Sequence, residues 1–472
     1  MKDEMLNAKA TEASEDYGSS GVEECSREEE EVIQTAEIKT ESQPLSRTQS
    51  RRSEIDPFGE PPDGGLNAWL KVLGCFLIYS NIWGFTLTFG AFQNYYQHHF
   101  LSDMSPSSIS WIGTVQSFLL ILVGCMSGPL FDLGYFRPML FFGNFLVVFG
   151  LFMLSLAKEY YQVFLAQAVC IGLGAGLLYI PSLALIGLSF STKRSVAQGI
   201  TTAGIAVGGI AYILAFDHLS STAGFGWAVR VMGFISLGIC GIAFPALLKG
   251  TSALAKARAA RKLWELSAFK DRNFLIFTAC SCSTFLGYIV PYFYISVFAS
   301  DALGIDQNMS LNILIIAIAA SFFGRLVSGM IAFRMGPIFT WFWCAASSGI
   351  VSISWLAVKS QPGLIAWAVF WGFCSAGLVT LPAAVFPTLC SDLRRLGTLT
   401  GMSWGISSFA SLIGSPIAGA ILKHHPTDGH ARSRSDFLGP ALWAGVCLLL
   451  GSGIIFILWA LRVKETKKGY FI

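Results

Sequence analysis

Arg325 stands alone in an apolar run from Leu311 to Ala332 that contains no acidic residue. An arginine in hydrocarbon costs about 2.5–3.5 kcal/mol on insertion scales, so it persists where it faces a wet cavity or a partner. Its planar guanidinium offers two parallel donors to one carboxylate, and recognition of an organic anion is the chemistry to expect of it. The alternative is a side chain that snorkels to a helix end. Asn81, Tyr288, Tyr292 and Trp404 lie in other apolar runs and are expected to line the same cavity, a wall suited to a sizeable, partly apolar anion. Tyr and Trp also serve as interfacial anchors, which is the competing role for these three aromatic residues. Lys71 and Arg230 are nearer the ends of their runs and are expected to snorkel.

Other chemistry is not visible. No His, Cys or acid cluster has metal-ligand spacing, and no phosphate-binding glycine loop follows a strand. Cys280 and Cys282 on one helix would point their thiols to diverging faces. The sequence therefore predicts no enzyme, no cofactor and no metal site. No Asp, Glu or His falls in the middle of an apolar run, so no proton site is evident, and any pH dependence would come from the substrate. Asp132 and Asp217, at run ends, are the remaining carboxylate candidates.

The elements that must position Arg325 follow from composition. The chain of 472 residues is 53% hydrophobic and 13% charged, with a mean hydropathy of +0.58, too apolar for a soluble protein of this size. Apolar runs lie near 68–92, 108–131, 138–157, 161–187, 195–216 and 226–248, then near 274–298, 309–332, 337–357, 363–388, 397–421 and 437–461. In hydrocarbon, runs of this length are helices. The fold class is thus an all-α membrane protein with twelve transmembrane helices in two six-helix bundles.

The two sixes are copies. At an offset of 201 residues, Ser127-Gly128 returns as Ser328-Gly329, Ala175-Gly176-Leu177 with Pro181 as Ala376-Gly377-Leu378 with Pro382, and Arg194 with Gly204-Ile205 as Arg395 with Gly405-Ile406. Such a parallel internal repeat is the symmetry of a secondary transporter. Pro181, Pro382 and Pro387 sit inside predicted helices as bend points. Glycines on the fourth, fifth and eleventh helices, among them Gly208, Gly401 and Gly405, form faces for close packing.

The expected organisation is a disordered acidic cytosolic tail at 1–60, an N-terminal bundle at 61–248, a cytosolic basic linker at 249–273, a C-terminal bundle at 274–462 and a basic cytosolic tail at 463–472. Residues 1–60 hold 16 acids against 7 Lys and Arg and are too polar to fold. Lys and Arg are concentrated in alternate loops, which places both termini and the middle loop in the cytosol. Within that loop, residues 254–269 form a basic amphipathic stretch able to lie on anionic lipid, with a plain tether as the other reading.

The turn from Gly128 to Pro138, with Gly128, Asp132, Gly134 and Arg137, resembles the loop signature of the major facilitator superfamily, and Arg334 lies in its second-half counterpart. Leu133 stands where the signature has a basic residue, and Phe333 replaces the second acid. Asp63 to Trp69 resembles the entry motif of the monocarboxylate porter branch, and Phe190, Arg194, Ala197, Gly199, Ala203 and Gly204 match its second motif. The resemblance implies the major facilitator fold, alternating access through a switch at the Gly128 to Arg137 and Arg334 loops, and a carboxylate held by Arg325. Ser321 and Leu87 occupy positions where mammalian porters have their acid and lysine. The sequence thus predicts a monomeric multi-pass transporter of a small organic molecule, an organic anion, monocarboxylate or secondary metabolite, in the plasma or vacuolar membrane. Its partners would be the bilayer and the substrate, not nucleic acid. A transporter-like nutrient sensor is the alternative.

Overall fold

A computed structural model of the chain describes residues 64–190, 193–249, 263–390, 396–422 and 433–466. The acidic tail, Asp63, the basic residues of 250–262, Arg394, Arg395, Lys423, Arg432 and the C-terminal tail from Lys467 lie outside the described residues. Twelve helices in the described part are long and apolar enough to cross a membrane. In chain order they are α1 Leu66–Phe100, α2 Pro106–Asp132, α3 Phe136–Leu154, α4 Tyr160–Ser189, α5 Arg194–Thr222 and α6 Phe225–Leu248. The second set is α7 Arg272–Leu303, α8 Gln307–Met335, α9 Pro337–Ala357, α10 Gln361–Leu389, α11 Gly397–Ile421 and α12 Arg434–Val463.

The helices begin where local chemistry starts them. The Ser105 hydroxyl accepts from the Ser108 amide ahead of α2, with Pro106 at the first position. Asp271 and Asp306 cap α7 and α8 in the same way; each cap satisfies an amide that the helix cannot. One helix runs further than hydropathy indicates. α1 continues past residue 92 to Phe100 and closes in a π-helical turn, Tyr96–Phe100. Its polar residues dilute the apolar signal but are accommodated, with Gln93 donating to the Pro106 carbonyl at 3.3 Å.

Packing repeats between the halves. α1 lies against α5 and α6, α2 against α4, and α3 against α4 and α6; α7, α8 and α9 make the corresponding contacts with α11 and α12, α10, and α10 and α12. The halves meet along α2 with α11, α5 with α8, and the C-terminal part of α1 with α7. The outer helices expose Phe141, Phe145, Phe234, Ile350 and Leu450, the side chains that hydrocarbon would solvate.

Close approach accounts for the glycines of α4 and α5, such as Gly176, Gly204 and Gly208, but not for two on α11. A Cβ on Gly208 would collide with the Ser80 carbonyl, so only glycine lets α5 cross α1. Gly401 and Gly405, expected on a packing face, face open space instead, with nothing within 4 Å of an added Cβ. The repeated prolines also diverge. α4 runs unbroken through Pro181, whereas α10 is interrupted at Leu381, restarts at Pro382 and carries Pro387 in its last segment.

Candidate functional site

Arg325 is fully buried on α8, 0% exposed, and does not snorkel. Its Nη1 donates to the Ser321 carbonyl one turn back at 3.3 Å, Nε and Nη2 meet no acceptor in hydrogen-bond geometry, and Tyr288 is a hydrogen-bonding neighbour of the guanidinium. Buried donors without acceptors are expensive, roughly 1–3 kcal/mol each and more for a charged group. Tyr288 and Tyr292 of α7 lie close enough for their hydroxyls to feel the arginine's charge. The Tyr292 hydroxyl bonds Ser375 of α10 at 2.9 Å, and its ring packs on Tyr288 and Trp371 at 5.6 and 5.8 Å. On the other side α5 comes near through Gly199, whose Cβ position is 3.3 Å from the Arg325 carbonyl. The Nε and Nη2 donors beside the phenols form a pole that can bind one anionic group.

Trp404 belongs to a second cluster. Its ring stacks on Tyr179 of α4, at 5.5 Å and 14°, across the seam between the halves. Tyr179 also contacts Tyr79 and Trp83 of α1. The indole N–H groups of Trp83 and Trp404 are buried without partners, so this wall too retains donors. Sequence reasoning missed Tyr79, Trp83 and Tyr179 because aromatic residues are common throughout the spans.

Asn81 makes its hydrogen bonds within the N-terminal half, to α5 and α6. The Tyr212 hydroxyl donates to Asn81 Oδ1 at 2.6 Å, Asn81 Nδ2 donates to Cys240 Sγ at 3.2 Å, and the Cys240 thiol donates to Asn144 Oδ1 at 3.1 Å. Residues two apart on a helix point in nearly opposite directions, so with Tyr79 and Trp83 on the seam Asn81 must face inward. Lys71 reaches the end of α4. It is buried against α4, with Nζ 3.4 Å from Ser189 Oγ. Arg230 lies over the Trp227 ring at 5.1 Å.

The two ends of the seam are unlike. On the face of the α1–α2 connection the halves are joined: Ser110 bonds the Tyr294 hydroxyl at 2.6 Å, Ser107 donates to the Pro416 carbonyl at 3.1 Å and Ser296 to the Gly90 carbonyl at 2.9 Å. Phe89 packs on Phe293 at 4.6 Å, and His98 Nε2 lies 3.0 Å from Asp301 Oδ1. That last pair is a titratable link between halves that the sequence did not reveal. On the opposite face a cavity of about 290 Å³ opens between the halves, lined by Gly128, Asp132, Arg194, Pro387 and Gly401 among others. The molecule is therefore closed toward one face and open toward the other.

The α2–α3 turn borders that cavity in a defined shape. The Tyr135 amide donates to the Leu130 carbonyl and the Gly134 amide to the Phe131 carbonyl, with Gly134 at φ 87°. This is a Schellman ending, which a side chain at Gly134 would strain. Arg137 and Arg334 are exposed on the same face.

The comparisons with known proteins agree with this architecture. The family description Major Facilitator Superfamily matches residues 72–415, and the chain belongs to that superfamily of membrane transporters. It is 38% identical to the MFS-type transporter dbaD of Emericella nidulans, over 84% of this chain and 86% of that protein. It is 33% identical to the aspyridones efflux protein apdF of the same organism, over 85% and 79%. It is 34% identical to the agnestins efflux protein AgnL12 of Paecilomyces divaricatus, over 89% and 94%.

Proposed function

We propose that the chain exports an acidic, partly apolar secondary metabolite by alternating access, in the manner of a monocarboxylate porter. Arg325 holds the anionic group, Tyr288 and Tyr292 flank it, and the wall of Trp404 and Tyr179 receives the apolar body. The carrying observation is the fully buried guanidinium with two unpartnered nitrogens. Support for the substrate class comes from relatives named for efflux of aspyridones and agnestins. In this reading the α2–α3 face is cytosolic, as the distribution of Lys and Arg favours. Both termini are then cytosolic, the carrier is a monomer in the plasma membrane, and the open cavity admits substrate from inside.

The test compares metabolites inside and outside cells that carry the wild-type chain, no chain, or Arg325→Lys. Lysine retains the charge and loses the paired donors, so an acidic compound should be retained in the cells of both the null and the variant strain, with Arg325→Lys at normal abundance in the membrane. Normal export by Arg325→Lys would remove the arginine from substrate recognition. A cellular response without any change in compound distribution would make the protein a sensor.

A further inference from the structure

A groove of about 400 Å³ runs along the lipid-facing side of the N-terminal half between α3 and α6, walled by Phe141, Phe145, Leu237 and Phe244. Phe141, Phe145 and Leu237 are more than half exposed. The hollow exists partly because position 241 has no side chain, and a Cβ there would meet nothing within 4 Å. At its floor are Cys240 and Asn144, each 7% exposed.

The Asn144 amide is the end of a directed chain. Tyr212 donates to Asn81, Asn81 to the Cys240 sulfur, and Cys240 to Asn144 Oδ1. Because every link runs the same way, what remains at the end is the Asn144 Nδ2, a buried donor with no partner. In hydrocarbon such a group costs free energy until an acceptor arrives.

Depth selects the acceptor. Asn144 lies eight residues into α3, which starts at Phe136, hence about 12 Å along the axis. With a hydrocarbon core of about 30 Å, that is close to the middle of the bilayer. Phospholipid ester groups lie at the core's edges and do not reach it. We propose that the groove is a binding site for a lipophilic carbonyl compound dissolved in the bilayer, its oxygen accepting from Asn144 Nδ2 and its apolar body lying along Phe141, Phe145 and Phe244. The site is separate from Arg325 and does not depend on what Arg325 binds.

Benzophenone is a suitable probe, being a lipophilic ketone whose photoexcited carbonyl inserts into nearby C–H bonds. The full chain in lipid nanodiscs would be photolabelled and the adducts mapped by mass spectrometry. We expect adducts concentrated on 141–148 and 237–245, suppressed by a ten-fold excess of unreactive aliphatic ketone and not by the same excess of diphenylmethane, which has the shape without the oxygen. Gly241→Phe fills the hollow where nothing obstructs it, leaves the hydrogen-bond chain intact, and should reduce groove labelling at least five-fold. Asn144→Leu should do the same if it folds. Labelling spread evenly over the lipid-facing helices, equal competition by diphenylmethane, or undiminished labelling in Gly241→Phe would each overturn the proposal.

Discussion

In the N-terminal half, Asn81 engages both ends of its amide, accepting from Tyr212 and donating to Cys240. In the C-terminal half, Arg325 is as deeply buried, yet two of its nitrogens are left open. The halves descend from one repeated pattern and pack alike, so the contrast does not come from the fold. A satisfied polar group fixes helices in place, whereas an unsatisfied charged one makes the site incomplete until a ligand arrives.

The contrast is sharpest if stability and transport can be separated. Arg325→Met removes an unpaired buried charge, so transport should fall by roughly 100-fold or more while the thermal midpoint stays level or rises by a few degrees. Parallel initial-rate and thermal-shift measurements decide this, and a fall in both would make Arg325 structural. Asn81→Leu should do the reverse. It removes the Tyr212 hydroxyl's acceptor and one donor to the Cys240 sulfur, costing about 1–3 kcal/mol, visible as a lower midpoint and yield, with transport per folded molecule within about two-fold of wild type.

The smallest effect concerns the joined face. His98 pairs with Asp301 as an ion only when the imidazole is protonated. His98 also bonds the Asn94 carbonyl at 2.8 Å, Ser300 lies 3.3 Å from the same Asp301 oxygen, and His99 and Gln307 stand beside them. Lowering the pH from 8 to 6 should favour the form closed on this face, seen as slower labelling of a cysteine placed at Ser107. Asp301→Asn should flatten that response, and an unchanged pH profile would exclude the pair as its source.

How much could be read from the chain alone varies with the physics involved. The spans are evident because hydrocarbon demands long apolar runs, and the repeat because Gly128, Pro181 and Arg194 recur at one offset. Arg325 stands out because its cost in a membrane has to be offset. Which way a helix faces is a different matter. Asn81 looks like a cavity residue by type, but its direction depends on the neighbours Tyr79 and Trp83 find. His98 and Asp301 are 203 residues apart, each near a helix end, and nothing local signals their meeting. Gly401 and Gly405 match a packing pattern, yet they lie at an opening because the halves have separated on that side.

The hydroxyl bonds that join the halves also set a clock. Ser110, Ser107 and Ser296 contribute three links across the seam, each worth about 1 kcal/mol net. Together these three add only a few kcal/mol to the closed face, the scale of the gaps across which proteins exchange between two arrangements. Rocking of whole bundles across such a gap belongs to the microsecond to millisecond range. Permanently ionic links in place of these three hydroxyls would lengthen every cycle, so serine bonds suit a protein that must come apart at this face each time it turns over.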